Sequence, residues 1–364
     1  MLTRRSLLLS LLIMSTSTSF SSPTPPVDLR GWKLLAPLPD PVGYGGMAAG
    51  VIAGRLIAAG GSNFPEKPFW LKGEKAFNDR IYSLASPTSA WEVLDLKLPE
   101  KAGAFACAAH ADTIYLAGGI GAKGPLATVY ALSAAGPGLS LRKLPDLPVA
   151  VGYAVAAVAG HHLIVAGGQT VLTEPAAEAS AYALDLSQAD RGWRRLPDLP
   201  GPGLFVGAAS SDGSGFLLFG GMAFNAERKH APSNRVYRLD PATDRWERLG
   251  DLPVARVAAV SPCPVLPDGR ILLVGGYAEV FPGAPREHPG FATESLIFDP
   301  VKRTWTAGPI MPRAPAGDRD HSTDAGPGPV VAAPGIVWKG LAVIISGEIR
   351  PATRTPAVLA WPIP

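Results

Sequence analysis

The sequence contains little that would support a membrane protein, a disulfide-rich domain or a nucleic-acid-binding protein. Its apolar run from Leu7 to Met14 is too short to span a bilayer. Cysteine occurs twice, at Cys107 and Cys263, without the spacing of a metal site, so we expect two free, buried thiols rather than a disulfide. The formal charge is +3 and no long basic run occurs, so we expect no nucleic-acid partner.

Histidine is also scarce, with six residues in the chain. His161 and His162 are adjacent in a predicted turn before a strand, but the sequence offers no further ligands at a spacing typical of a metal site. A copper-radical oxidase needs tyrosine, histidine and cysteine ligands at one site, and the sequence does not place such a set together. We therefore predict neither a metal nor another cofactor.

The first 22 residues have the pattern of a signal peptide. A basic start with Arg4 and Arg5 precedes the apolar run, and small residues follow it. The motif TRRSLL resembles part of a twin-arginine export signal. We expect export, with the periplasm as the destination in a bacterium, cleavage between Ser19 and Pro23, and no stable membrane insertion afterwards. A short membrane anchor is the alternative.

Glycine and proline are abundant, with 41 and 38 residues, and they separate short apolar runs. This combination predicts many short strands joined by turns. Apolar runs that end in a glycine pair recur along the chain as LIAAGG, TIYLAGG, HLIVAGG, GFLLFGG and RILLVGG, with AVIISGE as a sixth, altered copy. Later in most copies comes a strand that begins near a tryptophan, as in AWEVL, GWRRL, RWERL and TWTAG, whereas the second copy has SLRKL.

Repeats of about fifty residues with four strands each predict an all-β, six-bladed kelch-type β-propeller over residues 23–364. We place five blades at residues 43–94, 103–144, 152–196, 203–249 and 256–307, and the sixth from near residue 316. The sixth lacks an outermost strand, and residues 31–40, GWKLLAPLPD, have the pattern of one. We therefore predict that an N-terminal strand closes the ring, which removes two exposed sheet edges.

One face of the predicted ring collects two sets of residues, because consecutive strands of a blade are antiparallel. The first set follows the glycine pairs: Asn63, Gln169, Met222, Tyr277 and Glu348. The second set begins the inner strands: Tyr44, Phe105, Tyr153, Phe205 and Arg256, with the charged segment GDRDHS at residues 317–322. The aromatic members are expected either to fill the core or to form a stacking platform for a ligand.

The sixth copy places charge at this face. We interpret Glu348 as replacing the second glycine, with Arg350 and Arg354 close behind it. A carboxylate that faces the channel is costly to desolvate without a role, which favours function. A purely structural ion pair is the alternative.

The segment ISGE, followed by Arg-Thr six residues after the Glu, resembles the active-site segment of sialic acid mutarotases, also called N-acetylneuraminate epimerases. The resemblance implies an exported six-bladed propeller in which Glu348 is the proton acceptor and Arg354 a partner in the substrate site. The long blade-one insertion, GGSNFPEKPFWLKGEKAFNDRIY, is similar to one in that family, and the blade order resembles its cyclically permuted subgroup. Pro356 stands where the family has Asp, which leaves the identity of the substrate open.

The resemblance implies an isomerase that interconverts the anomers of N-acetylneuraminate or a related sugar through acid/base ring opening. Arg354 would bind the sugar carboxylate in a bidentate manner. Further polar residues are candidates for the substrate site: Asn63, Arg80, Gln169, Asn225, Arg228, Tyr277, Arg319, Asp320 and His321. The alternative is a non-catalytic propeller that binds a glycan or a protein, because fold does not determine function. The sequence leaves the oligomeric state open.

Overall fold

A computed structural model describes residues 27–313 and 326–364, and these ranges are built almost entirely from short antiparallel strands. The expected signal peptide and the candidate residues Arg319, Asp320 and His321 lie outside the described residues. In the described ranges the helices are single 3₁₀ turns at Phe69–Leu71, Ala189–Arg191 and Pro285–Glu287, and none of them could cross a membrane.

Six sheets repeat along the described part of the chain, and we call them blades one to six. Blade one contains Ala48–Ile52, Arg55–Ala59, Arg80–Leu84 and Trp91–Lys97. Blade two contains Ala106–His110, Thr113–Ala117, Val129–Ala135 and Gly138–Leu144. Blade three contains Val155–Ala159, His162–Ala166, Ala181–Asp185 and Trp193–Leu196. Blade four contains Ala208–Ser211, Phe216–Phe219, Arg235–Asp240 and Arg245–Asp251.

Blade five contains Ile271–Leu273, Leu296–Asp299 and Thr304–Ala307. Blade six contains Gly335–Trp338, Leu341–Ile345, Val358–Pro362 and, as its outermost strand, Lys33–Leu35. Four blades carry an additional short ladder at one end: Ser62–Asn63 with Ala76–Phe77, Ala102–Gly103 with Ile120–Gly121 and Gly124–Pro125, Met222–Phe224 with His230–Pro232, and Glu348–Arg350 with Thr353–Arg354. This all-β, six-bladed arrangement confirms the predicted propeller.

The N-terminal strand occupies the place that the sequence predicted for it. Leu35 pairs with Val358 and Lys33 with Ala360, in antiparallel register at the outer edge of blade six. Trp32 and Leu35 are buried, at 3% and 7% exposure, in the contacts of this strand with the neighbouring blades. The prediction that strands from the two ends of the sequence share one blade is confirmed.

Blade five departs from the four-strand prediction, because its inner segment is not a regular strand. Residues 257–265 instead form isolated bridges from Val257 to Tyr277 and from Val265 to Ile271. Pro262 and Pro264 have no amide hydrogen to donate to a ladder, which explains the interruption.

The inner strand of blade six is Gly335–Trp338, which pairs with Leu341–Ile345. The predicted start of this blade, near residue 316, lies outside the described residues. The residue that bridges to Glu348 at the beginning of this inner segment is Val331, not a member of the charged segment 317–322.

The apolar core lies between the blades. The described residues contain six buried clusters, each of which combines side chains from two adjacent blades. The cluster between blades six and one, for example, joins Trp338 and Val343 to Tyr82 and Trp91. Each blade therefore buries both of its faces, which explains why its middle strands are apolar without alternation.

The recurring tryptophans connect neighbouring blades. Four indoles lie on or directly before an outer strand, and each donates a hydrogen bond to a carbonyl that follows the outer strand of the preceding blade. The donor–acceptor pairs and distances are Trp32 to Ile310 at 3.0 Å, Trp91 to Ala36 at 2.8 Å, Trp193 to Pro145 at 2.9 Å and Trp246 to Pro197 at 2.8 Å. These bonds satisfy indole N–H groups that burial would otherwise leave without a partner.

The glycine pairs form a second set of blade-to-blade bonds. In every blade, the amide of the second position donates to a carbonyl in the segment that leads into the next blade. The pairs are Gly61 to Ala102, Gly119 to Val151, Gly168 to Leu204, Gly221 to Arg256, Gly276 to Val330 and Gly347 to Tyr44. The last pair joins blade six to blade one, so these bonds run around the whole ring.

We predict that Leu35→Ala lowers the free energy of unfolding by about 2–5 kcal/mol, because it removes a buried side chain at the closing strand. Leu34 provides the matched control, since it lies on the opposite face of the same strand and is 48% exposed. Leu34→Ala should change the free energy by no more than about 0.5 kcal/mol. Urea unfolding of both variants would measure the difference, and equal effects would contradict the role of this strand.

We also predict that both thiols resist modification in the folded protein. Cys107 and Cys263 are free and buried, as the sequence predicted. Burial raises the pKa of the Cys107 thiol to about 12 and raises that of Cys263 as well, so little thiolate forms near neutral pH. A disulfide-exchange reagent at pH 8 should label neither thiol until guanidinium unfolds the chain. Rapid labelling of either thiol in the native protein would contradict this.

Candidate functional site

A two-stranded hairpin at the end of blade six brings Glu348 and Arg354 together. The two residues are directly opposite each other in the register between Glu348–Arg350 and Thr353–Arg354. Nη1 of Arg354 forms a close ion pair with Oε2 of Glu348. Oε1 of Glu348 accepts a hydrogen bond from the amide of Ala352 at 3.1 Å. Both carboxylate oxygens are therefore held, and the carboxylate has a fixed orientation.

Ser346, rather than Glu348, takes the place of a glycine. Ser346 has a φ of 57°, in the left-handed region that the first glycines of the other pairs occupy, and Gly347 is the second member of this pair. Our interpretation that Glu348 replaces the second glycine was therefore wrong. Glu348 follows the intact corner, in the position that Gln169 and Tyr277 occupy in blades three and five.

The hydroxyl of Ser346 links the hairpin to blade one. Its Oγ accepts a hydrogen bond from the amide of Tyr44 at 2.8 Å. It lies 2.9 Å from the carbonyl oxygen of Tyr44 and 2.6 Å from that of Thr355, and it can donate its proton to either one. The buried hydroxyl thus ties together the two strands of the hairpin and the neighbouring blade.

Arg354 is enclosed by blade one. Its Nε donates to the carbonyl oxygen of Ser62 at 3.3 Å, and its guanidinium lies 5.7 Å from the centre of the Phe64 ring. Gly45 leaves the space for this side chain, because a Cβ there would lie 2.8 Å from Nε. The Arg354 side chain is only 6% exposed, whereas that of Glu348 is 19% exposed. Glu348 is thus the member of the pair that solutes reach more easily.

The ion pair lies at the wall of a recess in the centre of the ring, with a volume of about 150 Å³. Each blade contributes to the lining of the recess one residue whose backbone φ lies between 44° and 69°. These residues are Gly46, Ala104, Tyr153, Val206, Ala258 and Ala332. Backbone hydrogen bonds connect several of these residues across blade boundaries, as from Ala332 to Ala258 at 3.2 Å. Left-handed backbone is costly for non-glycine residues, so the ring of blades must hold these conformations in place.

The charges at the recess affect neighbouring titratable groups. Burial raises the pKa of Tyr153, and the negative charge of Glu348 raises it further. Burial and the same carboxylate raise the pKa of Tyr277 to about 12. Both phenols are therefore protonated near neutral pH and can act as hydrogen-bond donors. Desolvation and the nearby charge of Arg354 lower the pKa of Lys75, and Glu348 opposes this effect.

The structure distributes the other candidate residues over several places. Asn63 is buried next to the hairpin, where its Nδ2 donates to the carbonyl of Gly43 at 3.0 Å. Tyr277 is half-buried against Phe291, with ring centres 6.0 Å apart. Arg80 is exposed at the start of a blade-one strand. Their roles toward a substrate stay predictions.

A separate groove between blades three and four collects two further candidates, Gln169 and Arg228. It is also lined by Phe205 and Phe224, whose rings stack at a centre distance of 5.4 Å. Nε2 of Gln169 donates to the carbonyl of Ala176 at 3.0 Å, so this amide supports its own loop. The exposed Asn225 holds the turn beside the groove, because its Oδ1 accepts from the amide of Lys229 at 2.8 Å.

Sequence reasoning missed Lys75 and Asp185. Lys75 lines the recess from within the blade-one insertion, where no periodic pattern distinguishes it from the other charged residues. Asp185 pairs in register with His162, and the ligand atoms of His161, His162 and Asp185 lie within 4.8 Å of one another. These three residues could hold a divalent metal ion. They lie at the opposite end of their strands from the glycine pair, away from the recess.

Pro356 lies in the connection between the hairpin and the last strand of blade six. Its carbonyl accepts a hydrogen bond from the amide of Leu38 at 2.9 Å, which helps to hold the segment that follows the N-terminal strand. Pro356 is not among the described residues that line the recess. The residue that departs from the mutarotase pattern therefore contributes to the seam between blades.

Comparisons with known proteins point to one group of enzymes. A family model described as N-acetylneuraminate epimerase matches residues 144–284. The N-acetylneuraminate epimerases of Yersinia enterocolitica and Vibrio vulnificus are both 26% identical to this chain, over 61% and 59% of its length. The N-acetylneuraminate epimerase of Brucella melitensis is 28% identical over 58% of the chain.

These matches confirm the resemblance that the sequence indicated, but they are partial. The chain spans 58%, 58% and 57% of the lengths of these three relatives. The segment that the family model matches, residues 144–284, does not include Glu348 or Arg354. The family-model match therefore does not bear on the two charged residues of the hairpin.

We predict that Ser346→Ala destabilises the protein by about 1–3 kcal/mol, because the buried amide of Tyr44 loses its acceptor. Ser187→Ala is the control, since this exposed hydroxyl bonds only within its own turn, to Asp185. Urea unfolding would measure both variants. A Ser346→Ala variant as stable as the control would show that the hydroxyl does not support the corner.

Proposed function

We propose that this protein is an isomerase that interconverts the anomers of N-acetylneuraminate or a closely related acidic sugar. The observation that carries the proposal is the fixed carboxylate of Glu348, which is paired with Arg354 and faces a recess at the centre of the ring. The similarity to N-acetylneuraminate epimerases supports the same substrate class.

Anomer exchange requires the ring of the sugar to open and close again. The anomeric hydroxyl loses its proton, the bond between the anomeric carbon and the ring oxygen breaks, and the ring oxygen gains a proton. A free keto group forms, and reclosure on its other face gives the other anomer. In this scheme Glu348 takes the proton of the anomeric hydroxyl and gives it to the ring oxygen. At reclosure Glu348 takes the proton back from that oxygen and gives it to the new anomeric oxygen.

Arg354 contributes by holding the acid that transfers the proton. Its guanidinium contacts Oε2 of Glu348, and the Ser62 carbonyl and the Phe64 ring restrict its own movement. A fixed carboxylate loses little entropy when the substrate binds, which favours proton transfer in a defined direction. Tyr153, which is protonated near neutral pH, supplies a hydrogen-bond donor in the same recess.

The signal peptide, the location and the repeat type that the sequence indicated belong to the same proposal. We propose that residues 1–22 are a signal peptide, that the protein acts outside the cytoplasm, and that its repeats are of the kelch type in a cyclically permuted order. The order of charges and apolar residues at the start of the chain and the glycine and tryptophan repeats support these statements.

We predict that Glu348→Gln slows anomer exchange of N-acetylneuraminate by about 10²–10⁴-fold, because the amide keeps the shape of the side chain but cannot accept the proton. The KM should change little, since the residue acts mainly in the transition state. Glu227→Gln, at an exposed turn on the same end of the ring, is the matched control and should exchange anomers at the parent rate. Exchange NMR, corrected for the rate in buffer, measures both.

Exchange by Glu348→Gln at the parent rate would exclude Glu348 as the proton acceptor. If the parent itself does not exceed the rate in buffer with any acidic sugar, the isomerase proposal fails. Binding of a sugar without exchange would then favour a non-catalytic glycan-binding propeller.

A further inference from the structure

The blade-one insertion adds a third charged side chain to the recess, that of Lys75. The insertion is held at this place by its own short ladder, in which Ser62–Asn63 pairs with Ala76–Phe77. The carbonyl of Ser62 in that ladder accepts the hydrogen bond from Nε of Arg354. Lys75 therefore lies directly before Ala76–Phe77, and the strand that pairs with it, Ser62–Asn63, contacts Arg354.

The charges at the recess do not cancel. Glu348 and Arg354 form an ion pair, so neither charge is left over. Lys75 is the additional charged residue among the described residues that line the recess. The described residues that line the recess therefore carry one net positive charge, which complements a ligand with a single carboxylate.

Lys75 is also the more accessible of the two cations. The Arg354 side chain is 6% exposed and already engaged by Glu348, Ser62 and Phe64. Lys75 is exposed at the mouth of the recess, with its ammonium 5.7 Å from the centre of the Phe77 ring. Desolvation lowers the pKa of Lys75, and the charge of Arg354 lowers it further, whereas the charge of Glu348 opposes the shift. An anionic ligand in the recess would favour the charged ammonium in the same way as Glu348 does.

We propose that Lys75 binds the carboxylate of the acidic sugar, while Arg354 remains bound to Glu348. This inference rests on the proposed function. The carboxylate of N-acetylneuraminate is attached to the anomeric carbon, so the group that binds it must lie beside the residue that transfers the proton. Lys75 shares the recess with Glu348 and meets this condition. An ammonium on a flexible stem can follow the carboxylate as the ring opens and recloses.

The test compares Lys75→Met with the parent in anomer exchange of N-acetylneuraminate. Methionine keeps much of the apolar stem and removes the charge. We expect the KM to rise by about tenfold or more while kcat stays within about twofold, because the lost contact holds the substrate equally in the ground and transition states. Lys67→Met, at an exposed position of the same insertion, is the matched control and should retain the KM of the parent.

The methyl ester of N-acetylneuraminate separates a charge contact from a change of shape, because it lacks the carboxylate charge. The KM for the ester should be the same for the parent and for Lys75→Met. A KM for the acid within twofold of the parent value, or an equal rise for the acid and the ester, would overturn the assignment.

A binding measurement distinguishes failure of the proposed function from failure of the Lys75 assignment. If the parent does not accelerate anomer exchange, calorimetric titration with N-acetylneuraminate replaces the kinetic assay. A Kd that rises about tenfold in Lys75→Met but not in Lys67→Met would still support the carboxylate contact. Equal affinities for parent and variant, or no binding by the parent, would overturn it.

Discussion

The close approach of adjacent blades at the glycine pairs is the constraint on which the rest of the structure depends. The second glycine of each pair donates its amide to the next blade, and the first glycine lies against the same segment. A Cβ at Gly167 would lie 2.3 Å from the carbonyl oxygen of Leu204, and one at Gly220 would lie 2.2 Å from that of Arg256. Positive φ angles and lack of space together require glycine at these corners. Short, apolar strands then bury both faces of every blade.

The candidate site lies at the corner of blade six, where Ser346 stands in place of the first glycine of the pair. At Ser346 a side chain is present, and its hydroxyl bonds to the neighbouring blade in place of the bare contact made by a glycine. The hairpin that follows is held to blade one through Ser346 and Gly347, which bond to Tyr44, and through Arg354, which bonds to Ser62. A polar seam of this kind fixes the Glu348 carboxylate at the wall of the recess. Rigid support for an acid/base residue is what proton transfer requires.

The sequence was sufficient to predict the repeated features, because each signal recurs in several blades and a single irregular copy does not obscure it. Glu348 and Arg354 were candidates because their spacing fits a known motif, and their roles stay predictions. Blade five was misjudged because Pro262 and Pro264 interrupt an inner strand that the other copies form. Lys75 was missed because its position depends on the path of a long insertion, and such a path follows from tertiary contacts rather than from periodicity.

The similarity to the family model and the charged recess concern different parts of the ring. The family match covers residues 144–284, which begin at the end of blade two and extend into blade five. The charged recess depends instead on blades six and one, where Glu348 and Arg354 meet the insertion that carries Lys75. These residues are nearly three hundred positions apart in the sequence and adjacent in space only because Lys33–Leu35 and the Gly347–Tyr44 bond join blade six to blade one. Closure of the ring is therefore a condition for the site as well as for stability, since it brings the acid, its arginine and the accessible lysine to one recess.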